Sequence, residues 1–446
     1  MKIIIAGCGA VGFHLAELLS KENQDIVLID TDEEVLRHVN NHLDVMVIRG
    51  DAASTSILEQ AKVSSAKLFI AVTTSEKTNL LLTILAKQMG ATKTIARINN
   101  SEYLTQHEKE RFRNLGVDVL ISPQQLAAQE IVRLLERASF TDLFEFDEGM
   151  ISVVGFTLDM SSTFINRSIY EINSSISNFA FRGIALLRSG KTIIPTGETV
   201  LRKGDHLYIA TQSKYLDVAI NYVGKQLKPI KNIMIVGGTM LAVKTAKLIE
   251  DRYNITVVMK NKQQEKFCVE QLRRGLVIHA DPGNIDILKE EGLEDMDAFI
   301  ALTPNSETNI ITSLTAEKLG VYKTIALVDN INYTHLSQNI GIDTIINKKL
   351  IAANNIFRFV RKGKVEAVAS LHGVNAEVIE YIVHKKNRLL RNTIKELHFP
   401  KKSIIAGVIR NNEGYIPDGD FRFEIEDKVI VLALPEAIRQ VEEIFK

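Results

Sequence analysis

The sequence is one unit written twice, and this constrains the fold more than any single motif. Lys2 to Ile5 leads into Gly7, Gly9 and Gly12; Asn232 to Val236 leads into Gly237, Thr239 and Ala242, at an offset of 230. The same offset carries Asp51 onto Asp281, Thr73 onto Thr303, Thr78 onto Thr308, Asn79 onto Asn309 and Tyr103 onto Tyr333. It also carries Lys93-Thr94-Ile95-Ala96 onto an identical Lys323-Thr324-Ile325-Ala326, whereas Glu76 falls opposite Ser306. The offset then drops to 225, pairing Gly116-Val117-Asp118 with Gly341-Ile342-Asp343 and Arg133 with Arg358. Finally it drops to 222, pairing Pro195, Gly197 and Asp205 with Pro417, Gly419 and Asp427. Register that holds over long blocks and slips only between them is what duplication followed by loop trimming leaves.

Each repeat has two parts. In the first, short apolar runs (Ile3 to Ile5, Ile26 to Ile29, Val45 to Ile48, Leu68 to Val72, Thr94 to Ile98, Val117 to Ile121) alternate with helical patterns such as Phe13 to Lys21 and Thr78 to Met89. Alternation of this kind predicts βαβ units and a parallel sheet. A helix over about Gln124 to Arg137 leads into a strand-rich stretch from Ile151 to Ala210, punctuated at Arg188-Ser189-Gly190, Pro195-Thr196-Gly197 and Lys203-Gly204-Asp205. The expected architecture is α/β: two tandem Rossmann-like parallel-sheet domains, each followed by a small α+β module. The expected boundaries are 1–122, 123–225, 230–347 and 348–446, with a linker from Lys225 to Lys231.

Composition narrows the class. The 446 residues are 46% hydrophobic and 24% charged, which excludes disordered and collagen-like chains. Lys+Arg and Asp+Glu both number 54, without the basic excess expected of a general nucleic-acid binder. No apolar run approaches the roughly 20 residues needed to cross a bilayer, and the N-terminus reads as a first strand and not as a signal peptide. Cys8 and Cys268 sit at unrelated places and give neither a disulfide framework nor a metal-ligand spacing. A reducing cytoplasm is expected.

The chemistry lies in Gly7-Cys8-Gly9-Ala10-Val11-Gly12. A glycine fingerprint that follows a strand, opens a helix and is followed by Asp30 at the end of the next strand predicts a dinucleotide site. Gly7 permits the turn, Gly9 lets the backbone approach a pyrophosphate, and Gly12 lets the helix pack on the sheet. The diphosphate then meets free amides at a positive helix end. Asp30 can accept from both ribose hydroxyls and repels a 2′-phosphate, which favours NAD(H) over NADP(H). Asp51 and Ala52 after the third strand, Thr73 and Thr74 after the fourth, and Arg97 at the end of the fifth converge on the same rim, Arg97 as the natural partner of ligand phosphate. Weighed against these roles are helix capping for Asp51 (helix Ser54 to Gln60) and Thr73, and a surface salt bridge for Arg97.

The second repeat is altered at these points: Thr239 replaces Gly9, Ala242 replaces Gly12, Leu327 replaces Arg97, and Asp30 falls opposite Lys260, or opposite Met259 with a slip of one residue. The halves should share a fold and differ in ligand. No catalytic constellation stands out. Tyr381 and Lys385 have the spacing of a dehydrogenase pair, but they lie in a strand-like run where residues four apart are about 13 Å from one another. The basic cluster Lys385, Lys386, Arg388, Arg391 reads as a solvated face or a docking surface.

Two tandem units of this kind, with Gly7-x-Gly9-x-x-Gly12, Asp30, Gly50-Asp51, Val72-Thr73 with Asn79, and Ala96-Arg97-Ile98, resemble the RCK/KTN family. So do the Ile-Pro-x-Gly turn and the Gly-Asp or Glu-Asp before each module's last strand. The resemblance covers nearly the whole chain. It implies a cytoplasmic regulator, peripheral on the inner face of the membrane. A homo-oligomer, expected as a tetramer, would dock on a potassium-conducting membrane subunit and gate it according to bound NAD(H), with no metal and no catalysis. It also brings ATP or ADP into consideration; in the second repeat, adenine nucleotide and no ligand both stay open. The competing classes are a soluble NAD-dependent oxidoreductase and an NADH-sensing DNA regulator, the latter disfavoured by the neutral charge balance.

Overall fold

A computed structural model describes residues 1–20, 24–136, 138, 140–147, 149–176, 179–224, 228–330, 344–361, 367–371, 374, 376–384 and 388–445; the side chains of 358–361, 367–370 and 388 are not described. Tyr333, Gly341 to Asp343, Lys225 to Leu227 of the linker, Lys385 and Lys386 therefore lie outside the described residues, as does the side chain of Arg358.

The first repeat opens with β1 (Lys2–Ala6), α1 (Ala10–Ser20), β2 (Asp25–Asp30), α2 (Glu33–His42), β3 (Met46–Arg49), α3 (Thr55–Gln60), β4 (Leu68–Ala71), α4 (Glu76–Gln88), β5 (Lys93–Arg97), α5 (Gln106–Asn114) and β6 (Val119–Ile121). The strands form a parallel sheet in the order β3-β2-β1-β4-β5-β6. Strands covered on both faces must be apolar throughout, which is why β1 and β4 read as uninterrupted hydrophobic runs. Ile4, Val27, Ile29, Phe69 and Ala71 pack with Leu58, Leu82 and Ala86 of the helices into one core. The order reverses between β1 and β4, and a crevice for ligands opens beyond the carboxyl ends of the strands at such a point.

After α6 (Pro123–Glu136) come β7 (Asp142–Phe146), β8 (Ile151–Thr157), α7 (Ile169–Ser175), β9 (Phe181–Arg188), β10 (Lys191–Ile193), β11 (His206–Thr211) and α8 (Leu216–Tyr222). Their antiparallel sheet has the order β10-β9-β11-β8-β7. It begins at Asp142, nine residues before the strand-rich stretch expected from Ile151, because the polar start of β7 hid a strand whose Asp142 is buried.

The second repeat retraces this path through β12 (Asn232–Val236), α9 (Met240–Ile249), β13 (Asn254–Met259), α10 (Lys262–Gln271), β14 (Leu276–His279), α11 (Ile285–Glu290), β15 (Ala298–Ala301), α12 (Ser306–Lys318), β16 (Lys323–Leu327) and β17 (Thr344–Ile346). The sheet order, β14-β13-β12-β15-β16-β17, is that of the first. Then follow α13 (Lys348–Arg361), β18 (Ala367–Ser370), β19 (Glu377–Ile382), β20 (Ser403–Arg410), β21 (Glu413–Tyr415), β22 (Lys428–Ala433) and α14 (Pro435–Phe445), with sheet order β18-β19-β22-β20-β21. Both halves are thus a Rossmann-like parallel-sheet domain followed by a small module built on an antiparallel sheet.

Compactness does not follow chain order. One compact unit is Met1–Gln129 with Asn347–Val360, so that α13 belongs with the first parallel sheet. The other is Glu130–Ile346 with Arg361–Lys446. Within this second unit the two small modules share a core, in which Val153, Ile184 and Tyr208 of one pack with Val378, Ile409 and Ile430 of the other. Each module carries the same clamp. Arg188 Nε and Nη2 donate to the two oxygens of buried Asp205 (2.7 and 2.6 Å), as Arg410 donates to Asp427 (2.8 and 2.7 Å). These are the aspartates of the Gly-Asp and Glu-Asp pairs in the sequence.

Candidate dinucleotide site

The glycine loop is shaped by three different demands. Gly7 has φ +101°, a region that favours glycine, and a Cβ there would lie 2.8 Å from the Thr73 amide nitrogen. At Gly12 a Cβ would lie 1.9 Å from the Gly7 carbonyl oxygen, so the helix can start this close to the turn only without a side chain. At Gly9 a Cβ would meet nothing within 4 Å. The packing of the chain does not require glycine at position 9; an approaching ligand would. Helix geometry leaves the first amides of α1, at Ala10, Val11 and Gly12, without intrahelical acceptors at the positive end of the helix.

Asp30 ends β2 beside this loop. Its Oδ2 accepts the Cys8 amide (2.6 Å) and its Oδ1 accepts the Asp32 amide (3.0 Å), so the carboxylate is fixed on the loop while each oxygen keeps a further lone pair for a hydroxyl. The Cys8 side chain is buried. Burial, with Asp30 adding to it, pushes the thiol up to about 12. Asp51 does not cap a helix: Ser54 holds the N-cap position of α3, and Asp51 Oδ1 instead accepts the Ala53 amide at 2.9 Å in a local turn. Ala52 is buried beneath it.

Thr73 is likewise not a cap, because Ser75 accepts the Thr78 amide at the start of α4. The Thr73 amide and hydroxyl both donate to Asn79 Oδ1 (2.9 and 2.7 Å), and Asn79 Nδ2 donates to the carbonyls of Thr73 (3.1 Å) and Arg97 (2.9 Å). Asn79 has no exposure, and it ties the ends of β4 and β5 together. Thr74 beside it is exposed. Glu76 Oε2 accepts the Asn99 and Asn100 amides (2.7 and 2.8 Å), holding the segment just after Arg97. The sequence reading did not place Asn79 or Glu76 in the site. The signal for Asn79 was present, since Asn309 repeats it with the same four bonds, to Thr303 and Leu327.

Arg97 completes the rim. Among the described residues it makes no ion pair, so the salt-bridge alternative does not hold. Its Nε is buried with no hydrogen-bond partner, and burial pushes its pKa down. A buried guanidinium nitrogen without an acceptor is costly to maintain in a folded chain. An anionic ligand group would satisfy it. The open space at Gly9, the fixed carboxylate at Asp30 and this orphaned donor together fit a dinucleotide.

The second repeat does not offer the same site. Strand pairing aligns Asp25 with Asn254, both opposite the first residue of the central strand, and therefore Asp30 with Met259, the slipped of the two alignments. Lys260 follows it and pairs with Asp281 at 2.7 Å. Thr239 Oγ1 accepts the Ala242 amide (3.3 Å) and donates to the Leu302 carbonyl (2.9 Å), capping the helix that its counterpart leaves open. Gln264 Oε1 lies 2.3 Å from where a Cβ on Gly238 would be. Tyr381 is buried in β19, stacked on Phe445 at 4.4 Å, in packing that belongs to the module core. Arg391 is exposed.

Known proteins match this arrangement over the whole chain. The TrkA-N domain family matches residues 3–123 and 233–348, and the TrkA-C domain family matches residues 153–224 and 378–446. The Trk system potassium uptake protein TrkA of Haemophilus influenzae is 30% identical over 453 residues, covering 100% of this chain and 99% of its own. The TrkA homologue of Archaeoglobus fulgidus is 31% identical over 447 residues, covering 100% of both chains. Among solved structures, the GsuK channel bound to NAD superposes with TM-score 0.60 at 15% identity, over 100% of this chain and 78% of that one. The GsuK RCK domain superposes equally well, over 100% and 94%. At that identity the likeness is one of fold. Duplicated sheets, duplicated modules and full-length kinship agree: the chain belongs to the TrkA family of Trk-system potassium uptake proteins.

Proposed function

We propose that this chain is a nucleotide-sensing regulatory subunit that gates a potassium-conducting membrane subunit, TrkH-like in kind, through conformational change linked to NAD(H) bound in the first repeat. The observation that carries the proposal is the open cradle at Gly9, set against the capped helix at Thr239. One repeat keeps a ligand site and the other uses the same fold without it. Gly7 to Gly12 would hold the diphosphate, Asp30 a ribose, Asp51, Ala52, Thr73 and Thr74 the rim, and Arg97 an anionic group. When bound, the dinucleotide supplies charge and shape; no bond in it need change.

Regulation then follows from linkage. A ligand shifts an equilibrium between two assembly shapes only by its differential affinity for them. The subunit works as a homo-oligomer, a tetramer, at the inner face of the membrane. No helix among the described residues is long and apolar enough to cross a membrane; in this reading conduction belongs to the partner. ATP or ADP would compete for the same cradle through shared phosphate chemistry. The test is potassium flux through vesicles holding the membrane partner, with the purified chain added with and without NADH. Flux that responds to nucleotide while NADH absorbance stays constant supports the proposal. Consumption of NADH in the presence of a small substrate would replace it with the oxidoreductase reading.

A further inference from the structure

The outer face of α2 carries two histidines that the dinucleotide reading does not use. His38 and His42 are four residues apart, so the helix sets them one turn from each other on one face. Both are exposed, and their ring centres lie 4.2 Å apart. Phe13 of α1 backs them, its ring centre 5.0 Å from that of His38 and 6.4 Å from that of His42. His14, the next residue, is engaged elsewhere, with Nδ1 3.2 Å from Glu17 Oε2.

Hydrogen bonding sets the tautomer of one ring. His42 Nδ1 lies 2.8 Å from the His38 carbonyl oxygen. A carbonyl only accepts, so Nδ1 carries the proton and Nε2 of the neutral ring keeps its lone pair. Metal-bound imidazoles are commonly held in this way, the second nitrogen donating to a backbone carbonyl that orients the ring and raises its basicity. The pair also stands in the last turn of α2, at the negative end of the helix, where positive charge is favoured. Two nitrogens on one tetrahedral zinc ion, at about 2.0–2.1 Å each, are roughly 3.3 Å apart, a separation that the ring spacing admits.

We propose that His38 and His42 form a binding site for a divalent transition-metal cation of the imidazole-preferring kind, with zinc as its representative. Such cations favour nitrogen ligands, whereas Mg2+ and Ca2+ take oxygen. Among the described residues no group of three or more His, Cys, Asp or Glu side chains comes together to hold a metal. Water therefore completes the coordination, and the ion exchanges with solvent. A structural zinc site would instead be closed by four protein ligands. The site belongs to the first repeat alone: residue for residue along the helix, α10 has Phe267 and Gln271 where α2 has His38 and His42. An ion bridging the two rings holds the last turn of α2, and an ion that binds only the folded chain stabilises it.

The experiment is calorimetric titration of the full-length chain with Zn2+ alone, repeated for His38→Gln and His42→Gln, with circular dichroism to confirm that each variant is folded. Thermal unfolding with and without the ion runs beside it. The parent should bind zinc in a step that either variant weakens by more than about tenfold, since even an outer partner of a metal ligand is worth about 10- to 100-fold. Zinc should raise the melting temperature of the parent and raise that of either variant less. An excess of Mg2+ or Ca2+ should leave the zinc in place. Zinc binding that is the same in the parent and in both variants would return the pair to aromatic packing on Phe13 and overturn the proposal. Failure of the parent to bind zinc, or displacement of the zinc by Mg2+ or Ca2+, would overturn it as well. None of these outcomes bears on NADH binding, because neither histidine belongs to the dinucleotide site.

Discussion

Two glycines three residues apart should fail in opposite ways when given a side chain. In Gly9→Val the new Cβ points where the chain has nothing within 4 Å, and Gly9 does not have a positive φ, so folding should change by no more than about 0.5 kcal/mol. The same side chain occupies the space a diphosphate needs. Losing two charge-assisted hydrogen bonds at about 1.5–3 kcal/mol each costs roughly 3–6 kcal/mol, a fall in NADH affinity of more than about a hundredfold. In Gly12→Ala the Cβ would sit 1.9 Å from the Gly7 oxygen, whereas a close C···O contact is about 3.3 Å, so the helix must back away. Overpacking of this kind costs about 1–3 kcal/mol, partly offset by the better helix propensity of alanine. The second repeat shows the compensation required, since Ala242 is buried in a helix capped by Thr239. The assay is thermal unfolding beside fluorescence titration with NADH, followed by potassium flux with the membrane partner. Gly9→Val should melt as the parent does, lose binding and lose the nucleotide response of flux. Gly12→Ala should melt earlier. If Gly9→Val binds NADH as the parent does, the cradle is misassigned.

Asp30→Ala should weaken NADH binding by about 1–3 kcal/mol, and unchanged affinity in a titration would remove Asp30 from the site. A full-length chain carrying both Gly9→Val and Asp30→Ala should bind no NADH; saturable residual binding would show that the second repeat, despite Thr239, Met259 and Leu327, keeps a site. Asp205→Asn and Asp427→Asn should each destabilise the modules by about 3–5 kcal/mol, as expected when one partner of a buried ion pair is removed, and an unchanged denaturant midpoint would contradict this. Burial pushes the Cys8 thiol up to about 12 and the Cys268 thiol up to about 11. In the unfolded chain both ionise near pH 8.5, so above that pH the unfolded state holds fewer protons. Stability should then fall by about 1.4 kcal/mol per pH unit for each thiol. Neither cysteine should react with a thiol reagent at pH 8 until the protein is denatured.

Elements whose pattern is local were the legible ones. The apolar runs of β1, β2 and β4, the fingerprint Gly7 to Gly12 and Asp30 follow from strand burial and turn chemistry, which the sequence states directly. The roles of Asp51 and Thr73 were not legible, because whether a side chain caps a helix or closes a turn depends on where the helix begins; Ser54 holds the N-cap position of α3 without a side-chain capping bond, and Ser75 caps α4. Asn79 was visible as a repeated residue, but its task of joining two strand ends depends on a contact eighteen residues along the chain. That the Arg97 Nε has no partner among the described residues could not be read from sequence, since it depends on where every nearby acceptor is directed. β7 was missed because Asp142 at its head is buried, accepting from the Tyr208 hydroxyl at 2.5 Å, and polar residues in such positions do not register as strand.

The placement of α13 in the first compact unit bears on how the chain comes off the ribosome. The unit's sheet is complete by Ile121, but its last helix runs to residue 360 and is not translated until more than two hundred residues later. At about 5–20 residues per second this is a wait of roughly 10–45 s, during which the face that receives α13 is open to solvent or to a chaperone. The intervening chain must leave that face free while it folds its own module and sheet. A nascent polypeptide arrested between residues 130 and 346 should therefore expose the first sheet domain to protease along one side, and release of the finished chain should close it.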